Sequence, residues 1–413
     1  MSYSIAMLSV HTSPLDMPGR TRDAGGMNVY IHQLARELGQ SQFSIDIFTR
    51  RTNENTPQIV LISPRVRVIH ISAGPPTPIH KDELYRYLPA FAQQIEEFRM
   101  RTGKQYDILH SHYWLAGVVA MQLAQRWRVP HITMFHTLAH LKQLAKPDAT
   151  EPPPRLEMER QLIQQADRII ASTAEERTQI IRHCGATPRQ VEVIPCGVDL
   201  QRFVPHDRAR ARDELVWKQD APILLFAGRL DPFKGPDVLL RAASMMKEKA
   251  QVMIAGGNRE DGGKGAGDAE IQELRQLATD LRISKRVHFL GARPQQELPL
   301  LYSATDVTVI PSYHESFGLA AVESLACGTP VVATRAGGLT TIVRNGETGY
   351  LVPRCCGFFA EKLDTLLQQP DLLEQMRQAA RPSVLEYSWK RVASQVRDMY
   401  QDVLDEARCL AAL

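Results

Sequence analysis

The sequence predicts two doubly wound α/β domains in series. Three observations predict it. Short β-branched runs alternate with longer amphipathic stretches from end to end, the pattern of βαβ units around a parallel sheet. After a turn-rich segment, Ile194-Pro-Cys-Gly-Val-Asp-Leu-Gln-Arg-Phe-Val-Pro205, the alternation starts again. And 413 residues are too many for one core, since single cores rarely grow past ~250–300 residues. The boundaries expected are 1–200 for the first domain, 201–386 for the second and 387–413 for a closing helix.

In the first half the strands expected are Ile5–Val10, Ser44–Phe48, Val66–Ile71, Ile108–His110, His131–Phe135, Arg168–Ser172 and Val191–Pro195. Amphipathic stretches separate them at Asn28–Gly39, Asp82–Arg101, Trp114–Arg126 and Arg155–Gln165. Thr173-x-x-Glu176 reads as a capping box, and Gly185 stands where a glycine ends that helix. The second half gives Ile223–Ala227, Gln251–Ala255, Val287–Gly291, Val307–Pro311, Val331–Thr334 and Tyr350–Val352. The last segment, from Tyr387 through Leu404, has the spacing of an amphipathic helix.

Composition excludes several classes. Apolar residues at 44% and charged residues at 23% are ordinary globular values. A net charge of +3 is too balanced for a dedicated nucleic-acid binder. No window approaches the ~18 apolar residues of a membrane span, and the first ten residues lack the cationic start of a signal peptide. Six cysteines show neither C-x-x-C nor zinc spacing, so reduced thiols in a cytoplasmic setting are expected. No heptad run marks an oligomer interface.

Chemistry concentrates at strand ends. Pro311-Ser-Tyr-His-Glu-Ser-Phe-Gly-Leu-Ala-Ala-Val-Glu323 runs from a strand through a polar loop into a helix. Glu315 sits before the helix and Glu323 about a turn and a half into it, spaced to accept hydrogen bonds from hydroxyls. The amides of Ser316, Phe317, Gly318 and Leu319 offer an anion site. Gly228-Arg-Leu-Asp-Pro-Phe-Lys-Gly235 places Arg229 and Lys234 in another βα turn, where two cations can neutralise a diphosphate. No two Asp residues stand two positions apart, so an Asp-x-Asp metal clamp is not available and direct cationic stabilisation is the economical reading. The glycine run 262–267 lacks the spacing of a P-loop.

In the first domain, Asp23-Ala-Gly-Gly-Met-Asn28 opens a helix where Gly25 and Gly26 let a phosphate approach the backbone. His11, His110-Ser-His-Tyr113 and Phe135-His-Thr-Leu138 end neighbouring strands, and these polar ends suit a hydroxyl-rich ligand better than a metal.

Together the Glu315…Glu323 element, Arg229…Lys234 and the Gly25-Gly26 loop resemble the family 4 retaining glycosyltransferases, which have the GT-B architecture of two Rossmann-like domains facing across a cleft. The resemblance spans Val10 to about Thr348. Within that family His11-Thr-Ser-Pro-Leu, Asp23 to Tyr30, His110 to Gly117 and His136-Thr-Leu are most similar to the inositol phosphate glycosyltransferases, which use UDP-N-acetylglucosamine. The resemblance implies that Arg229 and Lys234 bind the UDP diphosphate, Glu323 the ribose, Glu315 the sugar hydroxyls and Arg293 the uracil side. It implies donor contacts for His11, Gly25, Gly26, Asn28 and His136, and acceptor-phosphate contacts for Lys81, Tyr113, Thr137 and Arg155.

The loop Pro18-Gly-Arg-Thr-Arg22 departs from the inositol enzymes. Arg20 and Arg22 suit a different phosphorylated sugar, as in the related sucrose-phosphate synthases, which join UDP-glucose to fructose 6-phosphate. Donor sugar and acceptor therefore stay open between these two. No carboxylate among the motifs is placed for the double displacement of a retaining glycosidase; the resemblance implies front-face transfer instead, and no metal or other cofactor is expected. A sugar-nucleotide epimerase and a non-catalytic sensor are the rival classes, separated from a transferase by turnover with an acceptor.

Overall fold

A computed structural model of the chain describes residues 2–16, 25–257 and 268–411. The chain forms two compact units. The first comprises Met1–Asp16, Met27–Pro195 and Trp389–Leu413, and the second Met17–Gly26 and Cys196–Ser388.

Among the described residues the first unit holds an eight-stranded sheet of β1 (Tyr3–Leu8), β2 (Phe43–Arg50), β3 (Ile59–Ser63), β4 (Val66–Ile71), β5 (Ile108–His112), β6 (His131–Met134), β7 (Arg168–Ala171) and β8 (Val191–Val193). Their spatial order is β3-β4-β2-β1-β5-β6-β7-β8. All pairs are parallel except β3 with β4. The inner strands are buried on both faces, which is why β1 reads as a near-continuous apolar run, whereas β5 buries His110, Ser111 and His112 as well. Helices Leu88–Thr102 and Trp114–Trp127 bury Phe91, Ile95, Trp114 and Leu123 in that core.

The second unit holds, among the described residues, β9 (Ile223–Ala227), β10 (Gln251–Ala255), β11 (Val287–Gly291), β12 (Val307–Ile310), β13 (Val331–Thr334) and β14 (Gly349–Val352). The order is β11-β10-β9-β12-β13-β14, all parallel. This is the strand order 3-2-1-4-5-6 of a nucleotide-binding α/β sheet. Leu224, Phe226, Val252, Ile254, Val309 and Phe359 form its core, each burial worth about 1.5–3 kcal/mol.

Expectation and structure differ in strand bounds, as at β1, which spans Tyr3–Leu8 rather than Ile5–Val10, and in the following places. Strand β3 is an antiparallel edge strand with little burial, so its sequence carries no strong signal. The stretch Asp82–Arg101 divides into a 3-10 turn, Lys81–Tyr87, and the helix Leu88–Thr102, because Pro89 takes the first turn of a new helix. In the capping box the Thr173 side chain accepts from the Glu176 amide at 3.1 Å, but Glu176 reaches back to the amide of Ser172 at 2.6 Å rather than that of Thr173. The loop 262–267, like Arg20 and Arg22, lies outside the described residues. The final helix, Trp389–Ala411, belongs to the first unit, where Val396 and Tyr400 are fully buried. No helix among the described residues is long and apolar enough to cross a membrane.

Candidate functional site

Parallel α/β sheets bind ligands beyond the carboxyl ends of their strands, where the strand order reverses. In the second unit that point lies between β9 and β12. The loop after β9 carries Arg229 and Lys234, and the loop after β12 carries Ser312 and Glu315. Gly235, at φ 71, ends the first loop against the Pro311 carbonyl of the second; a Cβ there would come within 2.4 Å of that oxygen. The two loops are also joined by the Tyr313 amide, which donates to the Phe233 carbonyl at 2.9 Å.

Lys234 Nζ donates to both Glu315 oxygens, at 2.7 and 2.8 Å, and Ser312 Oγ donates to Oε1 at 2.7 Å. Burial alone would raise the Glu315 pKa, but Lys234 and Ser312 more than offset it and hold the carboxyl below its ordinary value. Arg229 lies 3.3 Å from Asp231 and is partly exposed. The helix Leu319–Ala326 starts after Gly318, whose φ of 107 turns the chain into it; Ser316 and Leu319 are half-buried and Phe317 is buried against Tyr387.

Glu323, 6% exposed, accepts from Gln295 Nε2 at 3.1 Å and from Tyr302 Oη at 3.2 Å. Burial pushes its pKa up to about 7, with Tyr302 and Arg202 pulling the other way. Arg202 in turn donates to Gln295 Oε1 at 3.1 Å. Arg293 donates to the Leu290 carbonyl and pairs with Glu297 at 3.2 Å. A carboxylate, two cations and a loop of amides thus share one edge of one sheet.

In the first unit the order reverses between β1 and β5. His11 follows β1, Tyr113 follows β5 and His136 follows β6. The His11 and Tyr113 rings lie 4.6 Å apart. Tyr113 has φ 74 and ψ 156, and His136 has φ 58. Non-glycine residues held so cost about 1–3 kcal/mol each and concentrate at ligand sites. Gly25 and Gly26 lead into the helix Gly26–Leu38, in which buried Asn28 donates to Thr12 Oγ1 at 2.6 Å and to the Ser13 carbonyl at 2.5 Å.

Arg155, 1% exposed, donates to Glu159 at 2.7 Å, Glu151 at 2.6 Å and the Thr137 carbonyl at 2.7 Å. Its guanidinium also lies 4.8 Å over the Tyr113 ring. Burial opposes its charge, but Glu159, Tyr113 and Glu151 outweigh it and its pKa is raised. Arg155, Tyr113 and Thr137 are therefore brought together, with Thr137 exposed and Arg155 beneath it; Lys81 opens the 3-10 turn Lys81–Tyr87.

Sequence reasoning did not single out Ser312, Gln295, Tyr302, Arg202, Glu151, Glu159 or His112. Ser312 and His112 lie inside quoted motifs, and Glu151 and Glu159 flank Arg155 at helical spacing; the others reach Glu323 only through the fold. Among the described residues no group of three or more His, Cys, Asp or Glu side chains is arranged to hold a metal ion.

Comparison with known proteins follows the same division. The model of glycosyl transferases group 1 matches residues 207–383, and that of glycosyltransferase family 4 matches residues 24–202. A D-inositol 3-phosphate glycosyltransferase of Geodermatophilus obscurus is 42% identical over 414 residues, 97% of this chain and 90% of the relative. One of Streptomyces bingchenggensis is 42% identical over 421 residues, covering 99% and 91%. Among solved structures, sucrose-phosphate synthase from Thermosynechococcus elongatus matches with a TM-score of 0.91 and 33% identity, over 98% of this chain and 100% of that one. Anabaena HepE in complex with UDP and glucose matches in fold, with a TM-score of 0.76 and 20% identity over 97% and 100%.

Proposed function

From the premise that this chain belongs to glycosyltransferase family 4 and is a sugar-transferring enzyme of the GT-B type, we propose that it moves a hexosyl unit from a UDP-sugar to a phosphorylated acceptor, with UDP-N-acetylglucosamine and inositol phosphate as the preferred pair. The observation that carries this reading is the full-length likeness to relatives named for inositol 3-phosphate.

In this reading Arg229, Lys234 and the amides of Ser316 to Leu319 hold the diphosphate. Glu323 accepts from the ribose, Arg293 flanks the uracil, and Glu315 meets the sugar hydroxyls while fixing Lys234. His11, Gly25, Gly26, Asn28 and His136 are further contacts of the donor. Lys81, Tyr113 and Thr137 take the acceptor phosphate, with Arg155 positioning the latter two. Transfer with retention proceeds on the front face of the sugar. The C–O bond to the diphosphate breaks, the acceptor oxygen bonds to the anomeric carbon, and the departing phosphate oxygen takes the acceptor's proton. Preorganised cations lower the barrier by stabilising the charge that develops on the leaving group. No metal ion or other cofactor is required, and the cytoplasm is the site of action.

A second reading is favoured by the 33% identical sucrose-phosphate synthase structure: UDP-glucose and fructose 6-phosphate as substrates, with Arg20 and Arg22 on the acceptor. Both are tested by UDP release from UDP-glucose and UDP-N-acetylglucosamine, each with inositol 1- or 3-phosphate, fructose 6-phosphate or no acceptor, in EDTA. Turnover of UDP-N-acetylglucosamine with an inositol phosphate supports the first reading. Turnover of UDP-glucose with fructose 6-phosphate replaces it with the second. Silence from every pair overturns the phosphorylated acceptor, and dependence on added divalent ion overturns metal independence.

A further inference from the structure

His110 and His112 stand on the same face of β5, both 0% exposed. Their ring centroids are 4.3 Å apart. His110 Nδ1 is 2.6 Å from Tyr400 Oη on the last helix. His112 Nδ1 is 3.1 Å from Nε2 of His136, at the end of the neighbouring strand β6. Tyr30 meets both rings edge-on, with centroids 5.8 Å from His112 and 5.2 Å from His136. His112 Nε2 is buried with no hydrogen-bond partner among the described residues.

Burial keeps these imidazoles neutral: His136 and His110 are each depressed to about 3, and His112 is also lowered. A neutral imidazole carries one N–H and one lone pair. The 3.1 Å contact can therefore run two ways. If His136 Nε2 donates, His112 must carry its own proton on Nε2, leaving an N–H buried with nothing to accept it. If His112 Nδ1 donates, the unmatched atom is only a lone pair. Orphaned buried N–H groups are the rarer of the two in folded proteins, so the second arrangement prevails.

We propose that His112 is a positioning residue that fixes His136 as the Nδ1–H tautomer, so that His136 meets its substrate as a hydrogen-bond donor at Nδ1. The proposal rests on the reading above in which His136 touches the donor sugar. A donor held there serves the phosphate oxygen next to the sugar, which gains negative charge as the diphosphate departs, and the 3.1 Å contact with His112 keeps the ring from turning away. The other tautomer would present a lone pair to the same oxygen and repel it.

Two substitutions of similar polarity separate geometry from packing. His112→Asn keeps an amide donor where Nδ1 sits, whereas His112→Gln places its amide where Nε2 sits. Long-range nitrogen-15 NMR of histidine-labelled protein reads the tautomer directly, with His136 signals assigned by their loss in His136→Gln. Wild type and His112→Asn are expected as Nδ1–H at His136, and His112→Gln as a mixture or Nε2–H. In turnover His112→Asn is expected to stay within about threefold of wild type. His112→Gln is expected to lose about 10–100-fold in kcat with KM for the UDP-sugar unchanged, the scale seen when an orienting partner is lost. An Nε2–H tautomer at His136 in wild type overturns the proposal, as do equal losses in the two variants. Normal turnover in His136→Ala overturns the sugar-contact reading instead, and the NMR result still decides the tautomer. Should neither His112 variant fold, the wild-type spectrum alone decides.

Discussion

Lys234 Nζ lies 2.7 and 2.8 Å from the two oxygens of Glu315, a pair formed across 81 positions of sequence. Both side chains are largely withdrawn from water, 23% and 15% exposed. An ammonium has three donors, and the carboxylate takes two of them. The cation is therefore held in one orientation, with a third donor and its field left for a ligand. Electrostatic stabilisation is most effective when it needs no reorganisation at the moment of reaction.

This pairing makes the two cations of the site unequal. Lys234→Ala leaves Glu315 part-buried without its counter-charge and is expected to cost about 1–3 kcal/mol of stability at pH 8, less than a fully buried pair and more than a surface one. The Glu315 pKa is depressed in the folded state, so the ion pair contributes fully above the unfolded carboxyl pKa and is lost as pH falls through the folded one. The deficit of Lys234→Ala should accordingly close in acid, as pH falls through the lowered carboxyl pKa. Adding Glu315→Gln should recover stability and leave turnover lost. Arg229→Ala, whose partly exposed side chain faces Asp231 at 3.3 Å, should cost under about 1 kcal/mol. Urea unfolding checks the series, and equal stability of Lys234→Ala and wild type at pH 8 would show that the pair contributes nothing.

The local pattern carried Lys234 and Glu315 separately, because each sits in a βα loop after an apolar strand. It did not carry their bond, which depends on β9 and β12 lying side by side although they are far apart in sequence. The same holds for Glu323: its partners Gln295 and Tyr302, and Arg202 behind them, come from three different segments. Strands buried on both faces were legible as apolar runs, while β3, with only one neighbour and an exposed Leu61, was not. The place of Arg155 near an acceptor comes only from the family resemblance. Its burial follows from Glu151 and Glu159, four residues away on either side.

Burial raises the Glu323 pKa to about 7, so the carboxylate that would accept from a ribose is formed only near neutrality. Its linkage runs opposite to that of Glu315. The folded pKa exceeds the unfolded one, so the contribution to stability is full below about pH 4.5 and disappears as pH rises through 7. Glu323→Gln should therefore be more stable than wild type at pH 8, by on the order of 1–3 kcal/mol, with the gain fading by pH 5. Affinity for UDP-sugar should fall as pH drops from 8 to 6 in wild type and be weak and flat in the variant. Calorimetric titration across that range checks both, and a pH-independent wild-type affinity would remove Glu323 from the ribose.

Arg155 is tied to two carboxylates and the Thr137 carbonyl at once. Arg155→Ala leaves buried Glu159 without its counter-charge, while Glu151 keeps Lys142 at 2.5 Å, and is expected to cost about 3–5 kcal/mol. Arg155→Lys keeps the charge but lacks the fork that bridges all three acceptors, so a loss of about 1–3 kcal/mol is expected. If Arg155 acts by positioning Tyr113 and Thr137, Arg155→Lys should raise the KM for the phosphorylated acceptor while that for the UDP-sugar stays near wild type. A rise in both would place its effect elsewhere.

Tyr400 joins the last helix to β5 through a 2.6 Å contact with His110 Nδ1, and both residues are fully buried. Tyr400→Phe keeps the ring but removes the hydroxyl. Since His110 Nε2 is already without a partner among the described residues, the substitution leaves both nitrogens of a buried imidazole unmet. A cost of about 1–3 kcal/mol is expected, seen as a lower urea midpoint with an unchanged slope. Tyr400→Ala adds a cavity where Phe43 packs edge-on at 5.6 Å and should cost about 3–5 kcal/mol. Because the helix Trp389–Ala411 buries Val392, Val396, Tyr400 and Val403 in the first unit, deleting it should cost more than either substitution. A truncated chain that unfolds at the wild-type midpoint would show that this unit's core does not depend on the end of the chain.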